Sequence, residues 1–197
     1  MTFTIPNLLS IFRMGLVPLF IIAVIDGDAL KALLLFTVAG ITDALDGFIA
    51  RFWNQQSLLG TYIDPIADKL LLTSAYVVLA IPRLNPEMTI PIWVTVLVIA
   101  RDVLIVVMAG ALFLATGIRS FPPAMLGKVT TAAQVTTVFM VLVTALWPTL
   151  PELVWGTHIA IYATAALTVA SGLNYVRLAN SMAGTRSVEK GGDETGE

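Results

Sequence analysis

Asp43, Asp46, Asp64 and Asp68 fall within 26 residues of a strongly apolar chain, together with Gly47, Gly60 and Arg51. The order is Asp43-Ala-Leu-Asp46-Gly47-Phe-Ile-Ala50-Arg51, eight residues, Gly60, three residues, then Asp64-Pro65-Ile-Ala-Asp68. On an α-helix, residues three or four apart share a face. Asp43, Asp46, Gly47 and Ala50 therefore line one stripe, with Arg51 at its edge, and Gly60, Asp64 and Asp68 line another. The turn between the stripes is short, so an antiparallel helical hairpin lets the two acidic faces meet.

Four carboxylates in one place repel one another unless cations accompany them. Two divalent ions neutralise four negative charges, and carboxylate, water and phosphate oxygens are ligands that suit Mg²⁺ or Mn²⁺. Two such ions clamp the attacking and leaving oxygens of an in-line phosphoryl displacement. Gly47 and Gly60 carry no side chain, so a ligand can approach the backbone. Arg51 offers a planar fork to phosphate oxygens. The competing reading has the aspartates capping helices or pairing with Arg51 and Lys69. Asp64, ahead of Pro65, suits a helix start. All four in such roles beside a bilayer runs against the cost of intramembrane charge.

The setting is a membrane. The chain has 197 residues, 57% of them apolar and 12% charged, where a soluble domain carries roughly 25% charged residues. Mean hydropathy is +0.89. There are no cysteines, which removes disulfides, thiolate metal sites and cysteine nucleophiles. A net charge of −2 gives no basic patch for nucleic acid. Arg13 interrupts the first apolar run and no small-residue cleavage site follows, so the first span is expected to stay attached.

Six segments have the roughly 20-residue apolar length of a transmembrane helix: 5–25, 29–50, 59–81, 89–116, 124–146 and 153–179. The breaks between them carry Gly, Pro and polar residues. The predicted fold is all-α, with six transmembrane helices. The opening half of the first, with Pro6, Asn7, Ser10 and Arg13, is expected to lie at the interface. Residues 1–180 form one membrane domain. Residues 181–197 are polar, rich in Gly and without apolar periodicity, which predicts a disordered cytoplasmic tail. Six spans put seven Lys and Arg on one side (Arg13, Arg51, Arg119, Lys128, Arg177, Arg186 and Lys190) and two, Lys31 and Arg83, on the other. That asymmetry places both termini, and the acidic stripes, at the cytoplasmic face of an inner membrane.

The spacing D-x2-D-G-x2-A-R-x8-G-x3-D-x3-D resembles the signature of the CDP-alcohol phosphotransferases, and its eight fixed positions are all present. The resemblance extends to the opening Pro6-Asn7-Leu-Leu-Ser10-x-x-Arg13 and to Gly127-Lys128 ahead of the fifth span. It implies six transmembrane helices, a homodimer, and transfer of a phosphatidyl or similar group from a CDP-linked donor to an alcohol with release of CMP. Carried over by motif position, Asp43, Asp46, Asp64 and Asp68 ligate two divalent cations, Mg²⁺ or Mn²⁺. Asp68 also serves as general base on the acceptor hydroxyl. Asp43, Gly47 and Arg51 hold the cytidine-diphosphate portion of CDP-diacylglycerol, and Gly60 gives it room.

The acceptor is read elsewhere. Ala100-Arg101-Asp102-Val103 and Leu126-Gly127-Lys128-Val-Thr130-Thr131-Ala-Ala-Gln134 resemble the cardiolipin synthases and phosphatidylglycerophosphate synthases of the family. Typical phosphatidylglycerophosphate synthases have Arg-Glu at Arg101-Asp102, a later Arg on the fourth span and a second Lys at Thr130. The two extra cations are missing here. A soluble, phosphate-bearing acceptor such as glycerol-3-phosphate needs cations, whereas phosphatidylglycerol is held partly by its acyl chains, so the pattern leans toward the cardiolipin synthases. Arg101, Lys128, Arg119 and Arg177 are candidate acceptor-binding residues, and Asn7 and Arg13 candidate site-lining ones. Two readings of Arg101-Asp102 stay open, acceptor binding and an ion pair that fixes packing. His158, near the other end of the sixth span, is expected to be inert. A cation transporter is the rival class, since intramembrane carboxylates also mark ion pathways. The chain lacks the repeated halves usual in transporters.

Overall fold

The structure, a computed structural model, describes the backbone of residues 5–52, 58–82, 88–116 and 125–193 and the side chains of 8–45, 69–82, 88–108, 110–111 and 125–178. Among the described residues it is all-helical: α1 (Ile5–Ile25), α2 (Ala29–Phe52), α3 (Leu58–Leu79), α4 (Ile92–Thr116), α5 (Met125–Leu146) and α6 (Pro151–Asp193). The shortest has 21 residues, a length of about 31 Å, which matches a bilayer's hydrocarbon core. Six spans were expected. Among the described residues three stretches are long and apolar enough to cross a membrane: Leu8–Ile25, Met125–Leu146 and Pro151–Leu178.

α1 and α2 form a hairpin whose turn follows from local chemistry. Gly27 has φ 74°, a left-handed conformation that costs glycine nothing. It ends α1 by donating to Val24 O at 3.1 Å, while Asp28 N donates to Ala23 O at 2.9 Å. Two orphan carbonyls at the helix end are satisfied in this way. The Asp28 carboxylate then accepts from Lys31 N at 3.0 Å and caps α2. Across the hairpin, the Phe20 and Phe36 rings lie 5.9 Å apart. Two turns further along each helix, Arg13 meets Asp43. The antiparallel register set at Gly27 thus carries through to the first signature carboxylate.

The chain divides into two compact units, residues 1–95 with 134–161 and residues 96–133 with 162–197. In the first, α1 packs against both α2 and α3. Its buried positions Ser10, Arg13, Leu16, Val17, Phe20, Ala23 and Val24 recur at the spacing of one helical face. Ala32, Phe36 and Ala39 of α2 and Leu71, Ala75, Tyr76 and Val78 of α3 are buried as well. Tyr76, fully buried, donates to Gln134 O at 3.3 Å and accepts at its carbonyl from Thr95 Oγ1 at 3.2 Å. Thr137 Oγ1 donates to Ala160 O, and the hydroxyls of Thr144 and Thr157 lie 2.6 Å apart. Hydroxyls that pair with a facing helix are a common glue where water is scarce.

In the second unit, Thr130 is fully buried. Its hydroxyl lies within bonding distance of two carbonyls, Leu126 O at 2.7 Å and Leu167 O at 3.3 Å. The buried face of α6 here is Thr164, Ala165, Thr168 and Ser171, again at helical spacing.

The opening half of α1 is continuous with the rest of the helix, and Ser10 and Arg13 are buried within the protein. One sequence expectation differs from the backbone. Regular structure was expected to stop near residue 180, yet α6 continues to Asp193. Extending an established helix needs no new nucleus, so a polar segment can continue one. At 43 residues the helix is about 65 Å long, twice a hydrocarbon core, so its polar end extends beyond any span.

Candidate functional site

α2 and α3 position the signature. Asp43, Asp46, Gly47, Ala50 and Arg51 lie on successive turns at the end of α2, and Gly60, Asp64 and Asp68 on the first turns of α3. The side chains of residues 46–51, 60, 64 and 68 lie outside the described residues, as does that of Asn7. Asp43 is described. Its Oδ1 lies 2.8 Å from Nη1 of Arg13, whose side chain is 1% exposed while that of Asp43 is 49% exposed. Arg13 has interactions besides this one. This ion pair draws the Asp43 carboxylate toward α1. It engages one carboxylate oxygen and leaves half the side chain accessible. Arg13, singled out as a site-lining residue, is thereby in contact with the first signature aspartate.

Among the described residues, no three acidic, His or Cys side chains cluster as metal ligands. The donor set itself fits hard cations: it is carboxylate oxygen throughout, at helical spacing on two consecutive helices. The pairing with Arg13 suits such a set, because a guanidinium beside one carboxylate offsets part of its charge.

The candidate acceptor residues fall in the second unit. Arg101 on α4 is 9% exposed and Nη1 donates to Asp102 Oδ1 at 2.8 Å. Its Nε and Nη2 both donate to Ser171 Oγ on α6, at 3.3 and 2.9 Å. The guanidinium carbon sits 5.7 Å from the centre of the Tyr175 ring, within cation–π range. Lys128 and Arg177 are exposed. Arg119 lies outside the described residues. Ser171 and Tyr175 were not identified from the sequence. Both sit in a run of Ala, Ser, Thr and aromatic residues in which neither stands out, and 70 positions separate Ser171 from the arginine it binds. The one signal was α6 periodicity, which sets Ser171 and Tyr175 four apart on one face.

His158 lines a cavity of about 250 Å³ with Thr89, Thr144, Pro148, Thr157 and Ile161. Thr89 adjoins Ile90, which donates to Leu79 O at the far end of α3. That end is about 16 Å along the helix from Asp68.

The comparisons with known proteins agree with this arrangement. Residues 3–171 match the family described as CDP-alcohol phosphatidyltransferase. The cardiolipin synthase (CMP-forming) of Homo sapiens is 47% identical over 104 residues, 52% of this chain and 33% of the human protein. The rat protein of the same description is 46% identical over the same length. The chain thus spans about a third of the length of these cardiolipin synthases. The CDP-diacylglycerol–glycerol-3-phosphate 3-phosphatidyltransferase of Escherichia coli K12 is 32% identical over 187 residues, 92% of this chain and 97% of that protein. Since the family match takes in the whole of α1 to α5, including both helices that carry the signature, the chain belongs to the CDP-alcohol phosphatidyltransferases.

Proposed function

We propose that the protein transfers a phosphatidyl group from CDP-diacylglycerol to an alcohol acceptor, releasing CMP, at the cytoplasmic face of a membrane. The observation that carries this reading is the intact eight-position signature, set on two consecutive helices that both pack against α1. Asp43, Asp46, Asp64 and Asp68 would hold two divalent cations, Mg²⁺ or Mn²⁺. When bound, the cations supply electrostatic stabilisation to the phosphates of an in-line displacement. Arg51 binds diphosphate oxygens, with Gly47 and Gly60 giving the donor close approach to the backbone. Asp68 accepts the proton of the acceptor hydroxyl as its oxygen bonds to the phosphorus that bears diacylglycerol. The bond from that phosphorus to the CMP oxygen breaks, and CMP leaves with the electron pair. Arg13 holds Asp43 in place for this work. The active protein is a homodimer of six-span subunits in the inner membrane.

Phosphatidylglycerol is the favoured acceptor, which makes the product cardiolipin. Two observations support it. The human cardiolipin synthase is the more similar relative over the stretch it matches. At Thr130 the buried hydroxyl is engaged with backbone carbonyls, and it supplies no cation for a soluble phosphate. The alternative acceptor is glycerol-3-phosphate, favoured by a match to the Escherichia coli enzyme that covers 92% of this chain and 97% of the other. The test is purified protein with CDP-diacylglycerol and with glycerol-3-phosphate, phosphatidylglycerol, serine and inositol offered in parallel, lipid products being resolved. The expected result is cardiolipin formation faster than phosphatidylglycerophosphate formation. A much faster glycerol-3-phosphate reaction would reverse the acceptor assignment and leave the family chemistry intact.

A further inference from the structure

Within the second unit, α4, α5 and α6 converge on one buried cation. The Arg101 guanidinium is held on two edges: Asp102 accepts from Nη1, and Ser171 Oγ accepts from both Nε and Nη2. The Tyr175 ring lies against it at 5.7 Å. α5 comes close because residue 127 is glycine. A Cβ there would stand 3.1 Å from Tyr175 Oη and 3.3 Å from Arg101 Nη2. Both distances are tighter than ordinary carbon contacts, so the glycine is the clearance for these two groups.

A guanidinium has five N–H donors. Three are engaged, which leaves two, one on each terminal nitrogen. Donors on the two terminal nitrogens are the ones that bind anionic oxygens in pairs. A contact with Asp102 alone would neutralise the arginine yet let its plane rotate. The second edge, bonded to a neutral hydroxyl, fixes that plane without adding another negative charge.

We propose that Ser171 and Tyr175 are positioning residues that preset Arg101 for the phosphate of the acceptor alcohol, with Gly127 as the clearance that lets them do so. The proposal rests on reading Arg101 as an acceptor-binding residue. It adds that the residue's orientation is set in advance by α6 rather than by the substrate. The phosphate can belong to a lipid or to a soluble glycerol phosphate, and the assay separates them.

The experiment is steady-state kinetics on the full-length protein in detergent, with CDP-diacylglycerol as donor and with phosphatidylglycerol and glycerol-3-phosphate as separate acceptors. KM does not depend on how much protein folds, so a poorly expressed variant still reports. Arg101→Lys is the reference and raises the KM of the preferred acceptor. Ser171→Ala removes both contacts on one edge and raises that KM roughly tenfold, the scale of losing hydrogen bonds to a charged group. The KM for CDP-diacylglycerol stays unchanged. Ser171→Thr, which keeps the hydroxyl, restores the acceptor KM. Gly127→Ala raises it as well, and adding Tyr175→Phe, which deletes the oxygen nearer the new methyl, recovers part of the loss, because the 3.3 Å approach to Arg101 Nη2 remains. If Arg101→Lys raises the acceptor KM while Ser171→Ala and Gly127→Ala do not, the positioning role is overturned and the binding role of Arg101 stands. If Arg101→Lys itself leaves the acceptor KM unchanged, both fall. Equal rises in donor and acceptor KM in the Ser171 variant would also overturn the proposal, since they mark a general loss of structure.

Discussion

The contact between Arg13 and Asp43 is a stability element at a proposed metal ligand, and the two roles separate in chelator. Arg13 is 1% exposed and Asp43 49% exposed, at 2.8 Å. Breaking a fully buried pair costs about 3–5 kcal/mol, because one charge is stranded without water. Here the carboxylate can rehydrate, which lowers the cost of removing the arginine. An ion pair between exposed groups contributes about 0.2–1 kcal/mol, and the burial of Arg13 places this pair above that range. The expected coupling energy is therefore about 1–2 kcal/mol. The assay is a double-mutant cycle of Arg13→Met and Asp43→Ala, singly and together, with unfolding followed in detergent and excess EDTA so that cation binding at Asp43 plays no part. In a chain of this size, each kcal/mol moves the midpoint by about 2–4 °C. The double variant should be less damaged than the sum of the singles. A coupling energy indistinguishable from zero would show that the contact holds neither the hairpin nor the carboxylate of Asp43.

Three other outcomes are expected. Asp68→Asn should lower the single-turnover rate far more than CDP-diacylglycerol affinity, because three aspartates and Arg51 remain to hold the donor; the reverse pattern would make Asp68 a binding ligand and not the base. Gly27→Ala should destabilise the protein by about 1–2 kcal/mol, the cost of a left-handed backbone for an L-residue, read as a lower unfolding midpoint, and an unchanged midpoint would mean that the φ of 74° does not matter. A reporter fused after residue 197 should be cytoplasmic, as the seven-to-two cation asymmetry requires, and external labelling there would invert the topology.

Much of the scaffold was legible because its punctuation is local. Asp26-Gly27-Asp28 reads as a break, and in the structure Gly27 closes one helix while Asp28 caps the next. The helix starts and ends fall within a few residues of the expected segments except at the polar end of α6, where propagation from an existing helix outweighs composition. Spacing singled out Asp43, and Arg13 was named because polar residues there have little reason to face lipid. It did not show that Arg13 and Asp43 are each other's partners; that follows from the antiparallel register set by the turn. Long-range contacts stayed hidden for the same reason. Ser171 and Tyr175 are ordinary residues of an apolar helix, and nothing local marks them as neighbours of Arg101. Thr130, read only as a position without a cation, is a buried hydroxyl bonded across to α6.

The central claim, metal-dependent phosphatidyl transfer from a CDP-linked donor, is tested most directly by CMP release. Purified protein in detergent is given CDP-diacylglycerol with phosphatidylglycerol or glycerol-3-phosphate, and CMP and lipid product are measured together in Mg²⁺, in Mn²⁺, and after exhaustive chelation. The prediction is one CMP per phosphatidyl product, turnover lost on chelation and recovered on restoring the metal, and no turnover from Asp46→Asn or Asp64→Asn. Undiminished CMP release after chelation, or full activity in those variants, would contradict the assignment of the four aspartates.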